Sequence, residues 1–214
     1  MTVDTVLNFL FPEACALCGS LVEEFRFDCL CRNCWQKLRD GLRPVANHDL
    51  EAAGWYGGLL EEAIRLMKYR GRRGLARGLG DLLAERWFSV ARTEGCWQVI
   101  PIPLHPSRLR RRGYNQAELL ARRLARAGGF PLCSRALRRT RKTQSQAGLS
   151  DRQRHDNVRG AFEVRRPRQV RNSDVILVDD VVTTGATVES CRKALVAAGA
   201  ARVVVLALAR APRW

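Results

Sequence analysis

The most constraining feature of this sequence is an apolar run that ends in two adjacent aspartates. The run is Asp174–Asp179, and Asp180 follows it directly. A short hydroxyl-rich loop comes next, then the helix-forming residues Val188–Ala198, then a second apolar run over Arg202–Ala209. A strand, a helix and a strand joined by short connections predict a right-handed crossover between parallel strands. Because both runs are apolar throughout, the predicted sheet is covered on both faces.

The segment around the two aspartates also has the composition of a ligand site. Ligands of open α/β sheets bind at the carboxyl ends of the strands, and a helix N-terminus attracts phosphate. Gly185 permits close approach to the backbone, and the carboxylates can accept sugar hydroxyls or hold Mg²⁺ through waters. We therefore predict a ribose 5-phosphate site, with a simple capping role for the two carboxylates as the alternative. The candidate binding residues are Asp179, Asp180, Val181, Val182, Thr183, Thr184, Gly185, Ala186 and Thr187.

A cluster of cysteines lies near the start of the chain. Cys15 and Cys18 form one C-x2-C pair, and Cys31 and Cys34 form a second. In a reducing compartment, such pairs predict one zinc ion held by four thiolates. Four protein ligands leave no open coordination position, so the predicted zinc is structural. Cys29 is an alternative to Cys31, and an iron–sulfur cluster, an oxidised cluster and buried thiols without metal are alternatives to zinc.

The positive charge is concentrated in one central segment of the chain. The net charge is +16, and Leu104–Arg171 holds 19 Lys and Arg against 4 Asp and Glu. This segment predicts an anionic partner such as phosphate or nucleic acid, with a solvated basic surface as the alternative. All apolar runs are far shorter than the roughly 20 residues of a membrane span, so no membrane insertion is expected. Residues 1–14 lack the basic start of a secretory signal, so the expected compartment is the cytoplasm.

Apolar periodicity predicts most of the remaining elements. Residues 1–14 are predicted to form a short docking helix, Pro44–Leu50 a linker, and Arg135–Gly160 largely a long loop, either a functional lid or disordered. The further helices and strands are predicted from their apolar spacing. The helices are Trp35–Leu42, Leu59–Tyr69, Leu75–Ala91 and Asn115–Ala127, and the strands are Glu51–Tyr56, Gln98–Pro103 and Ala161–Val164.

Val175–Thr187 resembles the phosphoribosyl-pyrophosphate (PRPP) motif of type I phosphoribosyltransferases: an apolar strand, two aspartates and a Thr-Gly loop. Further segments make almost the whole chain similar to the ComF family, also called competence protein F. Besides the cysteine pairs, these segments are Lys68–Gly71, Ile100–Arg108, Arg112–Gln116, Gln146–Leu149 and Asn157–Phe162. The resemblance implies an α/β type I phosphoribosyltransferase fold, a parallel sheet flanked by helices. It also implies a small zinc-binding module at 1–43 and a phosphoribosyltransferase-like domain at 44–214.

The resemblance further implies roles for residues outside the PRPP motif. Leu104–Arg108 stands where type I enzymes place the pyrophosphate loop, so His105, Ser107 and Arg108 are candidate PRPP-binding residues. Thr143–Asp156 corresponds to a flexible loop that closes over the reaction and excludes water. Arg141 and Lys142 are candidates to neutralise the departing pyrophosphate. The implied catalytic residues are therefore Asp179, Asp180, Arg141 and Lys142.

Some residues of this chain have two interpretations. His105 lies between two prolines and is either positional or a general base. Lys68, Tyr69 and Arg70 are either helix-end cations that match the helix dipole or part of a wall that holds an acceptor. That wall belongs to the variable hood of type I enzymes, for which residues 45–95 and the zinc module are the candidates.

Three functions are compatible with these patterns. The first is a Mg²⁺-dependent phosphoribosyltransferase that takes PRPP, and the resemblance connects it with natural competence, DNA uptake and transformation. The second is a non-catalytic competence factor that binds single-stranded DNA or competence proteins, although Tyr114 is the one Trp or Tyr in the basic segment. The third is a zinc-stabilised interaction protein. The family also includes gluconate-utilisation proteins.

Overall fold

A computed structural model of the chain describes residues 14–22, 29–47, 49–90, 95–141 and 160–212. The predicted docking helix, except Ala14, and the predicted flexible loop Thr143–Asp156 lie outside the described residues, as does Lys142. The helices are α1 Arg32–Asp40, α2 Gly58–Tyr69, α3 Leu75–Ser89, α4 Pro106–Arg112, α5 Gln116–Gly128, α6 Pro167–Val170 and α7 Ala186–Ala197. The strands are β1 Val45–Asn47, β2 Leu50–Trp55, β3 Trp97–Pro101, β4 Leu137–Arg139, β5 Phe162–Val164, β6 Asp174–Val182 and β7 Arg202–Arg210.

The central sheet has five strands in the order β1-β2-β7-β6-β3. The edge strand β1 runs antiparallel to β2, and all other neighbours are parallel. The predicted α/β fold with a mostly parallel sheet is therefore confirmed. β6 lies between β7 and β3, so its carboxyl end has a neighbouring strand on each side. Ligands of such folds bind at the carboxyl ends of the strands.

The two faces of the sheet are covered by different layers. Ile176 and Val178 of β6 pack in one hydrophobic cluster with buried residues of α2, α3 and α5. Val175 and Leu177 pack in a second cluster with α7 and the β4–β5 hairpin. Alternate residues of a strand point to opposite faces, so positions 175–178 of β6 belong to these two layers in turn.

The N-terminal cysteine segment joins the α2 side of the core. Cys15, Leu30 and Trp35 are buried in the same cluster as α2 and α3. A Cβ at Gly78 of α3 would lie 2.6 Å from Cη2 of Trp35, so the absence of a side chain there lets the indole approach. The cysteine segment is thus packed onto the helical layer of the sheet, while the boundary at residues 43 and 44 stays a prediction.

Two short strands lie where the sequence indicated no regular structure. The predicted linker Pro44–Leu50 contains β1, which pairs with β2. The first part of the predicted loop Arg135–Gly160 contains β4, which pairs antiparallel with β5. Three-residue strands show no usable apolar period, and they are stabilised by their partner strands.

Two further elements differ from the predictions around the site. Pro106–Arg112 forms a helix, with His105 as its N-cap and Pro106 in its first turn. β6 continues past the predicted end at Asp179 to Val182, because its parallel pairing with β7 continues to Arg210. No helix within the described ranges is long and apolar enough to span a bilayer.

Candidate functional site

The two aspartates lie near the carboxyl end of β6, where the sheet meets the loop before α7. Asp179 pairs in register with Ala207 of β7, and Asp180 is 3% exposed. Asp180 is on the face of α2, whereas Asp179 is on the face of α7 and β4, because adjacent residues of a strand alternate. Oδ1 of Asp179 accepts a hydrogen bond from the backbone N–H of Asp180 at 2.9 Å. One strand therefore presents two carboxylates to two different surroundings.

Asp180 forms an ion pair with Lys68, the penultimate residue of α2. Lys68 Nζ lies 2.8 Å from Asp180 Oδ1, and the two side chains are 16% and 4% exposed. Burial alone lowers the pKa of Lys68, but the charge and hydrogen bond of Asp180 offset this, and the net pKa is raised. Among the described residues, Oδ2 of Asp180 is buried with no hydrogen-bond partner. The site therefore contains a buried carboxylate with one oxygen paired and one acceptor oxygen unmatched.

Asp179 is partly exposed, and it has a raised pKa. Burial raises the pKa of Asp179 to about 7, and the neighbouring charge of Asp180 adds to the effect. The charges of Lys68 and Arg139 act in the opposite direction. The Asp179 carboxyl group can therefore change its protonation near neutral pH.

The loop from Thr183 to Gly185 leads into the N-terminus of α7. Gly185 is the N-cap, with φ of 83°, in the left-handed region that favours glycine. Thr184 Oγ1 accepts from the N–H of Ala186 at 3.4 Å. The first N–H groups of a helix have no partner within the helix and attract anions. The loop and α7 therefore present backbone N–H groups of the kind that attract anions, and the phosphate site stays a prediction.

A second loop leaves β3 next to the aspartates. The N–H of Ile102 donates to the carbonyl of Val178 at 2.9 Å, and Asn115 Nδ2 donates to the carbonyl of Ile102 at 3.0 Å. His105 Nδ1 accepts from the N–H of Ser107 at 3.2 Å and lies 2.8 Å from Ser107 Oγ. His105 therefore caps α4, which favours the positional interpretation of this residue.

Among the described residues, Arg141 is the cation nearest in sequence to the predicted flexible loop, but Arg139 is the one that lies in the candidate site. Arg141 is exposed, whereas Arg139 of β4 is 8% exposed and its Cζ lies 5.2 Å from the ring centroid of Phe162. Burial and the charge of Arg108 lower the pKa of Arg139. Burial and neighbouring arginines likewise lower the pKa of Arg108. Arg139 is thus close enough to both Arg108 and Asp179 for their charges to affect its pKa.

Sequence reasoning missed Arg139, because three residues are too few to show the alternation of a strand. In β4 the first and third residues are buried and the second is exposed. Arg139 therefore shares a face with Leu137, an alternation typical of a strand. A basic three-residue run gives no apolar contrast, so the strand could be recognised only from its pairing with β5.

The four predicted cysteine ligands converge. The sulfur atoms of Cys15, Cys18, Cys31 and Cys34 all lie within 4.8 Å of one another. Cys18 Sγ and Cys31 Sγ are 3.7 Å apart, close to the ~3.8 Å that tetrahedral geometry requires with Zn–S bonds of ~2.3 Å. Cys29 is buried but lies outside this group. The four thiols form a group that could bind zinc.

Residues 109–213 match the family model described as a phosphoribosyl transferase domain. This match covers β6, α7 and β7 together with the loop that follows the two aspartates. The fold and the match define a protein with a phosphoribosyltransferase domain and a four-cysteine group near its N-terminus.

Similar proteins identify the family more closely. The chain is 37% identical over 183 residues to the DNA utilization protein YhgH of Shigella flexneri, covering 84% of this chain and 77% of that protein. It is 32% identical over 214 residues to Competence protein F of Haemophilus influenzae, covering 94% of this chain and 86% of that protein. It is 28% identical over 201 residues to Competence protein ComFC of Bacillus subtilis, covering 92% of this chain and 78% of that protein. The chain belongs to the competence protein F family.

Proposed function

We propose that this protein binds PRPP, or another ligand that contains ribose 5-phosphate, at the carboxyl end of β6. The observation that carries the proposal is the pair of the partly exposed Asp179 and the buried Asp180, followed by the loop and N-terminus of α7. A buried acceptor without a partner costs free energy. A ribose hydroxyl that donated to Asp180 Oδ2 would remove this cost, because that oxygen has no partner among the described residues.

The loop after the aspartates is the proposed phosphate site. Backbone N–H groups of residues 183–187 and the hydroxyls of Thr183, Thr184 and Thr187 would donate to the 5-phosphate. Gly185 lets the phosphate approach the backbone. Phosphate and sugar would therefore be recognised by neighbouring but separate groups.

The proposed diphosphate site is the start of α4. Backbone N–H groups at the start of α4 and the side chains of His105, Ser107 and Arg108 would contact the diphosphate. In a transfer reaction the bond between ribose C1 and the diphosphate oxygen breaks, and pyrophosphate leaves with the electron pair while a nucleophile bonds to C1. Arg108 and the buried Arg139 would balance this developing charge, with Arg141 and Lys142 as the proposed additional cations.

The donor set also fits Mg²⁺, which prefers carboxylate oxygens and retains several waters. Asp179 and Asp180 would hold the ion through waters, and the unmatched Oδ2 of Asp180 is a suitable acceptor. Bound Mg²⁺ would offset part of the diphosphate charge. Lys68 already neutralises Asp180 Oδ1 at 2.8 Å, so Asp179 and Asp180 Oδ2 are the oxygens to which we assign the ion.

We propose that the four-cysteine group holds a structural zinc ion. Its four sulfurs are the ligands of closed zinc sites, which contribute directly to folding free energy. Such thiolates persist in a reducing compartment, which agrees with a cytoplasmic protein. Names of relatives such as Competence protein F support a role in DNA uptake and transformation.

Calorimetric titration with PRPP, with and without Mg²⁺, tests the proposed site. We expect micromolar binding that strengthens with Mg²⁺. Asp179→Asn combined with Asp180→Asn should weaken binding at least 100-fold, because ribose and Mg²⁺ lose their anionic acceptors. The matched control removes two carboxylates elsewhere, Asp40→Asn with Glu85→Gln, and should bind as the wild type does. Wild-type affinity in a folded double Asp variant would reject this site.

A second candidate function is supported by a basic surface beside this site. We name residues 68–73 and 108–114 the arginine surface, and together they contain eight Lys and Arg and no Asp or Glu. The two segments touch: Arg73 Cζ lies 4.6 Å from the ring centroid of Tyr114, and Arg112 Cζ lies 5.4 Å from that of Tyr69. Aromatic rings among cations are typical of single-stranded nucleic-acid sites.

The exposed aromatic residue of the arginine surface is not the one that the sequence indicated. Tyr114 is 7% exposed, and its hydroxyl donates to the carbonyl of Met67. Tyr69 is 69% exposed, so it is the ring on which a base could stack. We propose that single-stranded DNA binds here, next to the ribose-phosphate site.

A further inference from the structure

The ion pair between Lys68 and Asp180 connects a helix of one layer to the site on β6. Lys68 belongs to the last turn of α2, and Asp180 is separated from it by more than a hundred residues of sequence. Both side chains are largely buried, and their charged atoms are 2.8 Å apart. Burying two charges costs free energy of desolvation, and the attraction offsets this cost only with good geometry. A buried pair of this kind is therefore better explained by what it positions than by the stability it adds.

The pair leaves the two oxygens of Asp180 in different states. Oδ1 contacts the ammonium group of Lys68. Oδ2 is equally buried and has no hydrogen-bond partner among the described residues. Because the ammonium group fixes Oδ1, rotation of the carboxylate is restricted and Oδ2 keeps one direction. Asp179 is held differently, through the hydrogen bond from a backbone N–H to its Oδ1.

We propose that Lys68 is a positioning residue for ribose: it fixes Asp180 through Oδ1 so that Oδ2 accepts a hydroxyl of the bound sugar. This inference rests on the ribose 5-phosphate site proposed above. It differs from both interpretations of Lys68 given by the sequence, since Lys68 acts through Asp180 and not on the helix dipole or the acceptor.

The inference predicts that Lys68 affects recognition of the sugar but not of the phosphate. The phosphate would be held by the loop and N-terminus of α7, which belong to the other side of β6. The sugar hydroxyl would be held by Asp180. Ribose 5-phosphate and inorganic phosphate are therefore two probes that separate the two contributions.

Calorimetry with these two probes, on the full-length protein as purified, tests the inference. In Lys68→Gln we expect ribose 5-phosphate to bind at least tenfold more weakly, while the affinity for inorganic phosphate changes less than twofold. Lys68→Arg keeps the positive charge and should restore ribose 5-phosphate affinity to within about threefold of the wild type. Lys193→Gln is the matched control, since Lys193 is a 76% exposed lysine on α7, and it should bind both probes as the wild type does.

The outcomes separate this inference from the function on which it rests. Wild-type protein that binds neither ribose 5-phosphate nor PRPP would overturn the proposed function and this inference with it. Wild-type binding of ribose 5-phosphate that Lys68→Gln does not weaken would overturn the inference alone. An equal loss of affinity for both probes would also overturn the inference, because such a loss would show a general charge or folding effect. If Lys68→Gln does not fold, Lys68→Arg decides between the outcomes. A tenfold loss of affinity for ribose 5-phosphate in that folded variant contradicts the proposed positioning, and retained affinity supports it.

Discussion

Asp179 and Asp180 are adjacent in sequence but have different chemical surroundings. Asp180 faces α2 and is paired with Lys68. Asp179 faces the α7 layer, where burial and the charge of Asp180 raise its pKa. The difference follows from the alternation of side chains along β6. Two identical residue types can therefore have two roles, one as a fixed anion and one as a group that exchanges a proton near neutral pH.

The raised pKa of Asp179 predicts a pH dependence of stability. The unfolded carboxyl ionises near pH 4 and the folded one near pH 7, so the folded state binds the extra proton between these values. The free energy of unfolding therefore falls as pH rises through this window. Asp179→Asn lacks this titration, so its stability relative to the wild type should increase by about 2–3 kcal/mol between pH 5 and 7.5.

Urea unfolding at the two pH values measures this change, with the exposed-carboxylate variant Asp40→Asn as the control for general charge effects. A stability difference between Asp179→Asn and wild type that stays constant with pH would contradict it.

At the residue scale, the sequence predicted those features that are local in the chain. The two aspartates, the Thr-Gly loop and the four cysteine ligands each lie within short segments with recognisable spacing. Lys68 was singled out, but its contact with Asp180 joins segments more than a hundred residues apart. Arg139 enters the site because β4 pairs with β5. Such contacts depend on the packing of the layers, which local patterns do not contain.

At the scale of elements, the long helices were predictable and the short strands were not. The helices α2, α3 and α5 have an apolar face that the core covers, and this period is visible in sequence. β1 and β4 have three residues each. The helix α1 is coupled to a second helix, because its Trp35 packs against α3 at Gly78. Disturbance of the cysteine group should therefore reach the helical layer.

Zinc removal should destabilise the whole protein. Cys15, Cys34 and Trp35 are buried in the same core as α2 and α3, so loss of the ion exposes part of that core. We expect about one zinc per chain by elemental analysis, and a melting temperature lower by more than about 5 °C after chelation, or about 2 kcal/mol for a chain of this size.

Cysteine variants provide the control for zinc removal. Cys18→Ser should reproduce both effects, whereas Cys96→Ser, an exposed cysteine outside the group, should change neither. Zinc-free purified protein with the same melting temperature as chelated protein would contradict a structural zinc.

At the scale of the whole molecule, the positive charge is distributed unevenly over the described surface. The arginine surface combines cations of the basic segment with Arg70, Arg72 and Arg73, which lie outside that segment in sequence. Arg70, Arg110 and Arg111 are exposed. The fold thus joins two basic segments beside one exposed tyrosine.

Binding of single-stranded oligonucleotides, followed by fluorescence anisotropy at several salt concentrations, tests this surface. Arg110→Gln with Arg111→Gln should weaken binding and lower the slope of log K against log salt by about 1–2, because fewer phosphates are neutralised. Tyr69→Ala should cost about 1–3 kcal/mol through lost stacking.

The matched control is Arg122→Gln with Arg126→Gln, two exposed arginines of α5. Equal effects of the two arginine pairs, or binding that does not respond to salt, would argue against a specific nucleic-acid surface.

The alternation along β6 also has a consequence for how such a protein can diversify. One layer holds α7, which follows the proposed phosphate loop, and the other holds α2 and the cysteine segment. Substitutions in the α2 layer can therefore alter what is presented to the proposed sugar site without changing the proposed phosphate loop. Lys68 of α2 reaches Asp180, so descendants that acquire new partners through α2 would have to retain this residue or replace its charge.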